Sequence, residues 1–149
     1  GVTKPVLYYH FRSKEHLYQE LMLDLFNQTR KNLLKLSAYR GTLRERLILY
    51  VSSEFRNCRK DPTSIRFLFR CMFAPEGEYP RFNMVEQYKR EREMIAEFVR
   101  EDMPSKRSLD PELVSSALMG IMLIQILEFF FTGRPPTSTP KGPGRRYDS

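Results

Sequence analysis

Gly1-Val2-Thr3-Lys4-Pro5-Val6-Leu7-Tyr8-Tyr9-His10-Phe11-Arg12-Ser13-Lys14-Glu15 opens the chain, and its reading decides the fold. Thr3 is suited to cap a helix start with its hydroxyl. Lys4 and Pro5 follow in the first turn, where the missing proline N–H costs nothing. Arg12-Ser13 breaks this short helix, and Ser13 is placed to cap the next. Leu7 and Phe11 are four apart and share one inward face, which leaves Lys4, Tyr8, Tyr9 and His10 to point elsewhere. A short helix with one packed side and one side of Lys, Tyr and His is shaped to lie on DNA.

A long helical pattern follows Ser13. Leu17, Leu21 and Leu25 recur at i, i+4 and i+8, with Tyr18, Met22, Leu33 and Leu36 widening the stripe. The pattern ends near Ser37, before Tyr39-Arg40-Gly41. A helix of that length spans roughly 36 Å, enough to join a DNA-reading head to a separate body.

Thr42-Leu43-Arg44-Glu45 has the form of a capping box, and Leu43, Leu47, Val51 and Phe55 repeat behind it. Asp61-Pro62 ends that helix and starts the next, whose apolar face is Ile65, Leu68, Phe69, Met72 and Phe73. Pro80 is expected to begin a further helix running to about Met103. The run Lys89-Arg90-Glu91-Arg92-Glu93 inside it reads as a solvated surface. Asp110-Pro111 repeats the cap-plus-proline start. The segment that follows, from Ala117 to Phe131, is interrupted only by Gln125 and Glu128, and Gly133 is placed to end it. That run is 15 residues long and holds a carboxylate; it falls short of the ~18–20 needed to span a bilayer, so no membrane role is expected. A helix apolar nearly all round needs covering on every side, and a second copy of the chain is the simplest cover.

The first stretch resembles the recognition helix and following helix start of TetR-type (tetracycline-repressor-like) transcriptional regulators. The residues that carry the likeness are Gly1-Val2-Thr3, Leu7-Tyr8, His10-Phe11, Ser13-Lys14 and Leu17. The resemblance implies an all-α protein in which the end of a helix-turn-helix head is joined by a long connector helix to a helical ligand-binding and dimerisation bundle. The expected divisions are 1–13 for the partial head, 14–41 for the connector, 42–133 for the body and 134–149 for a disordered tail. In that family two further helices precede this stretch, so the chain is expected to begin within its DNA-binding unit. Family members also close with another amphipathic helix after a sequence like Phe130-Phe131-Thr132-Gly133-Arg134-Pro135. Here the composition turns instead to Pro and Gly.

The implied function is DNA-binding transcriptional regulation, with repression relieved by an unidentified small-molecule effector. The partner would be double-stranded operator DNA, read by a homodimer using the helix at about 4–11. Thr3, Lys4, Pro5 and Val6 are the candidates for base contact: Lys4 can donate to guanine, and Pro5 and Val6 can touch a thymine methyl. Tyr9 would reach a base or the backbone. Tyr8, His10 and Lys14 resemble the family's phosphate-contacting positions, and Lys14 lies at a helix start whose free N–H groups also attract phosphate. Core packing is the alternative for Tyr8, and capping or packing for His10. Candidate effector-pocket residues are Phe55, Phe69, Met72, Phe73, Tyr88, Met122 and Gln125, all of which also suit an ordinary core. The candidate dimer interface is Leu118, Ile121, Ile124, Glu128 and Phe131. Glu128 either faces water, pairs across the dimer or orients a ligand. A rival reading is a helical ligand-binding or dimerisation fragment without DNA binding. A recognition helix lacking its supporting helices cannot keep Leu7 and Phe11 from water, which forgoes about 1.5–3 kcal/mol for each.

Charge fits the first reading. The net charge is +7, and Lys and Arg outnumber Asp and Glu by 7 to 3 over residues 1–40 and by 4 to 1 over 134–149. Between them the two signs balance at 14 each, so the basic charge sits at the ends. No enzyme chemistry or cofactor is expected: His10 and His16 lack the spacing of a helical metal site, and no Gly-rich phosphate loop occurs. Cys58 and Cys71 have no Cys-x-x-Cys spacing and read as reduced thiols of a cytoplasmic protein without a signal peptide.

Overall fold

The computed structural model describes residues 13–102 and 110–134. They form five helices, with no strand among the described residues: α1 (Lys14–Ser37), α2 (Leu43–Lys60), α3 (Pro62–Met72), α4 (Met84–Asp102) and α5 (Pro111–Thr132). The fold is all-α, as the sequence implies. Of the expected tail at 134–149, Arg134 is described and 135–149 lie outside the described residues.

Local chemistry explains most of the boundaries. Ser13 Oγ accepts from the His16 N–H at 3.1 Å and starts α1. Thr42 and Glu45 complete a reciprocal capping box at α2, with contacts of 2.8 and 3.3 Å. Asp61 caps α3 through the Ser64 N–H at 3.1 Å, and Asp110 caps α5 through the Glu112 N–H at 2.9 Å. Proline occupies the first position of both helices. Gly133 closes α5 in the left-handed conformation, φ +70°, where a side chain would be strained. In the α1–α2 loop Gly41 is needed for space, since a Cβ there would lie 2.1 Å from the Tyr39 ring.

Two expectations require correction. The fourth helix begins at Met84, not Pro80: Asn83 Oδ1 accepts the Glu86 N–H at 3.0 Å, while 80–83 stay irregular. The buried stripe of α1 is also offset by one residue. Tyr18, Met22, Phe26, Leu33 and Leu36 are buried, Leu17 and Leu25 are half-buried, and Leu21 is exposed. The reason lies in what faces the helix. Tyr18 stacks on Tyr79 at 5.9 Å and Phe26 on Phe82 at 5.8 Å, with Tyr88 edge-on to Phe26 at 5.2 Å. Aromatic pairs of this kind contribute about 0.5–1.5 kcal/mol beyond their buried area, which favours the aromatic stripe over the leucine stripe.

The molecule has two cores. Tyr18, Met22, Phe26 and Cys71 form an aromatic-rich one between α1, α3 and the loop before α4. Leu33, Leu36, Tyr50, Phe55, Ile95, Phe98 and Met122 form the other, where α1, α2, α4 and α5 converge. α4 packs most extensively against α5. Arg100 bridges Glu97, at 2.6 Å, and Glu112 across that junction. These ion pairs are part-exposed and add little to stability.

Candidate functional site: a two-carboxylate cavity beside the connector helix

All five helices contribute to one cavity of about 140 Å³. Phe26, Gln28 and Thr29 enter it from α1, Tyr50, Glu54 and Asn57 from α2, and Ile65, Leu68 and Phe69 from α3. Tyr88 and Glu91 come from α4, and Met119, Met122, Leu123 and Ile126 from α5. The wall is mostly apolar, with a few convergent polar groups, which is the usual character of a small-molecule site.

The polar groups are arranged in a short chain of contacts. Thr29 Oγ1 donates to Glu54 Oε2 at 3.0 Å. The other oxygen, Oε1, is buried without a hydrogen-bond partner. Tyr50 donates its phenolic O–H to the Glu91 carboxylate. Burial, reinforced by the neighbouring Glu91, pushes the Glu54 carboxyl up to about 7. Burial also raises Glu91, against the lowering effect of the Tyr50 hydrogen bond. The Tyr50 and Tyr88 phenols are raised by burial and by the nearby carboxylates. No Lys, Arg or His is among the residues that line the cavity. A second cleft, about 20 Å³, shares Phe26, Thr29 and Glu91 and is bordered by Arg30 and Arg90. Arg90 is held by Glu86 at 3.1 Å.

The residues expected to form a pocket divide. Phe69, Tyr88 and Met122 meet in the cavity wall. Phe55 is buried in the core, and Phe73 is 69% exposed. Met72 and Gln125 are half-buried and do not line the cavity. Sequence reasoning passed over Glu54 and took Glu91 for part of a solvated run. The structure corrects the second point: Glu91 points inward, while Lys89, Arg90 and Glu93 are exposed. A usable signal existed. Met84, Tyr88, Glu91, Ile95 and Phe98 follow the three-four spacing of one helix face, and Tyr50, Glu54 and Asn57 do the same on α2.

Of the expected interface residues, Leu118 is half-buried against the core, whereas Ile121, Ile124, Glu128 and Phe131 are exposed on α5. Ile124 is 63% and Phe131 86% exposed, and Leu113 adds to the same exposed apolar surface. α5, at 22 residues, is by length and composition apolar enough to cross a membrane, its most apolar 18-residue stretch having a mean hydropathy of 2.0. The run read from sequence, Ala117 to Phe131, understated this, because the helix also takes in Leu113 and Val114 from its start at Pro111.

Of the expected DNA contacts, Lys14 is described. It is exposed at the first position of α1, beside the Ser13 cap. Thr3, Lys4, Pro5, Val6, Tyr8, Tyr9 and His10 lie outside the described residues. Among the described residues no cluster of three or more His, Cys, Asp and Glu could hold a metal ion.

Comparison with known families matches residues 1–21 to the bacterial regulatory proteins of the tetR family. The matched part ends inside α1, at Leu21, and covers about a seventh of the chain. No curated protein and no solved structure matches the chain.

Proposed function

We propose that this chain is part of a tetR-type transcriptional regulator, a cytoplasmic repressor that reads operator DNA and releases it on binding a small molecule. One observation carries the reading: α1 begins within the stretch similar to the tetR family and, further along, lines the cavity with Phe26 and Thr29. A rigid element that belongs to both sites is what coupling between them requires. Thr3, Lys4, Pro5 and Val6 read base edges, Tyr8, His10 and Lys14 hold the backbone, and Tyr9 reaches a base or the backbone. The exposed apolar side of α5 covers its counterpart in a second copy, which sets two heads on two half-sites.

The test is DNA binding by the full-length natural protein, with duplexes selected from a random library. Lys14→Ala is expected to weaken binding to every selected sequence and to lower the salt slope by about one phosphate contact. An unchanged slope removes Lys14 from the phosphate contacts. Failure of the full-length protein to select any duplex overturns the reading.

A further inference from the structure

The cavity's own chemistry narrows what it can hold. Glu54 and Glu91 enter from different helices, close enough for the charge of one to disfavour ionisation of the other. Neither is answered by a cation in the cavity wall. Glu91 is held by the Tyr50 O–H and Glu54 by the Thr29 O–H, which leaves Glu54 Oε1 with nothing. Arg30 and Arg90 border the adjoining cleft, and Arg90 is engaged by Glu86. Carboxylates taken from water without a counter-charge are costly, and a buried acceptor lacking a donor adds to that cost. A ligand bringing both a positive charge and N–H donors would offset both.

The rest of the wall suits the other half of such a ligand. The rings of Phe26, Phe69 and Tyr88 line the cavity. Aromatic faces attract cations as well as apolar groups. The volume of about 140 Å³ sets the scale. A cavity of about 150 Å³ accepts one benzene ring.

We propose that the cavity binds a small lipophilic ammonium ion, its nitrogen between Glu54 and Glu91 and its apolar body, about one ring in size, against α3 and α5. An anion of the same size would meet two carboxylates. A neutral analogue lacks the charge. Binding itself stands on the cavity alone; that this cation is the effector rests on the regulatory reading above.

The experiment titrates the full-length natural protein with phenethylammonium, phenethyl alcohol and phenylacetate, followed by calorimetry and NMR. Phenethylammonium is expected to bind roughly tenfold or more tightly than the alcohol, and phenylacetate not at all. Glu54→Gln keeps an oxygen for Thr29 and removes the charge, so it should erase most of that preference while the alcohol's affinity holds. The comparison among the three probes on the unaltered protein stands even if the variant folds poorly. Equal binding of ammonium and alcohol, any preference for phenylacetate, no binding by any probe at millimolar concentration, or an unchanged preference in folded Glu54→Gln overturns the proposal. DNA release is read separately. Selective ammonium binding that leaves DNA affinity unchanged supports the cation site and defeats the regulatory reading. Release by the alcohol but not by the ammonium does the reverse.

Discussion

α4 and α5 lie against each other and invert the simple rule for what goes inside. α4 carries Lys89-Arg90-Glu91-Arg92-Glu93 and five further charged residues, yet it buries Ile95, Ala96, Phe98 and Val99. α5 is the most apolar helix, yet it buries only Ser115 and Met122. The difference is one of arrangement. α4 gathers most of its apolar residues on one face, so a single set of neighbours covers nearly all of them and leaves Val85 in the open. The apolar residues of α5 surround the axis, so the same neighbours leave Leu113, Ile121, Ile124 and Phe131 in the open. Total hydrophobicity says how much cover a helix needs. Its distribution says whether the helix's own chain can supply it.

The hardest blow to this contrast falls on α4. Phe98 is 2% exposed, and Arg46 lies over its ring at 5.4 Å. Phe98→Ala should cost about 3–5 kcal/mol in urea unfolding, through lost burial and the cavity left behind. A cost below about 1 kcal/mol would show that the core around α4 does not carry the fold.

The inward charge of α4 gives the next effect. Glu54, beside Glu91, titrates at about 7 in the folded chain against 4.5 in the open one. Between those values the folded state holds a proton that the unfolded chain has already released. Stability is therefore highest below the window and falls as pH rises through it, by ~3 kcal/mol. Glu91 is shifted upward by burial and pushes in the same direction. Urea midpoints taken at about pH 5 and about pH 8 should show the decline, and Glu54→Gln should flatten it. A midpoint that rises across the same range would contradict the burial of these carboxylates.

The smallest change in monomer stability is expected on α5. Ile124→Glu should move it by no more than about 0.5 kcal/mol, because the side chain is already largely in water. Its effect should instead appear in sedimentation, as loss of the proposed dimer. A variant that remains a dimer of unchanged affinity would remove this face from the interface.

The legible parts of the fold were those fixed by neighbours in sequence. Ser13, Thr42 with Glu45, Asp61-Pro62, Asp110-Pro111 and Gly133 each act within four residues, and each ends or starts a helix where the pattern implies. The offset stripe of α1 was not legible in the same way. Leu17, Leu21 and Leu25 repeat as regularly as Tyr18, Met22 and Phe26, and the choice between them depends on Tyr79 and Phe82, more than fifty residues away. The cavity was harder still. Phe69, Tyr88 and Met122 were within reach as large apolar residues, but Glu54 and Glu91 acquire their character only when two distant helices shut water out.

Cys58 and Cys71 add a practical consequence. Both are buried, Cys58 on α2 and Cys71 within the aromatic cluster, and burial raises both thiols. A thiol in that condition reacts slowly with alkylating reagents until the structure around it opens. The two positions therefore act as separate clocks. The time at which each sulfur becomes reactive reports the opening of its own part of the molecule, without any probe having to be introduced.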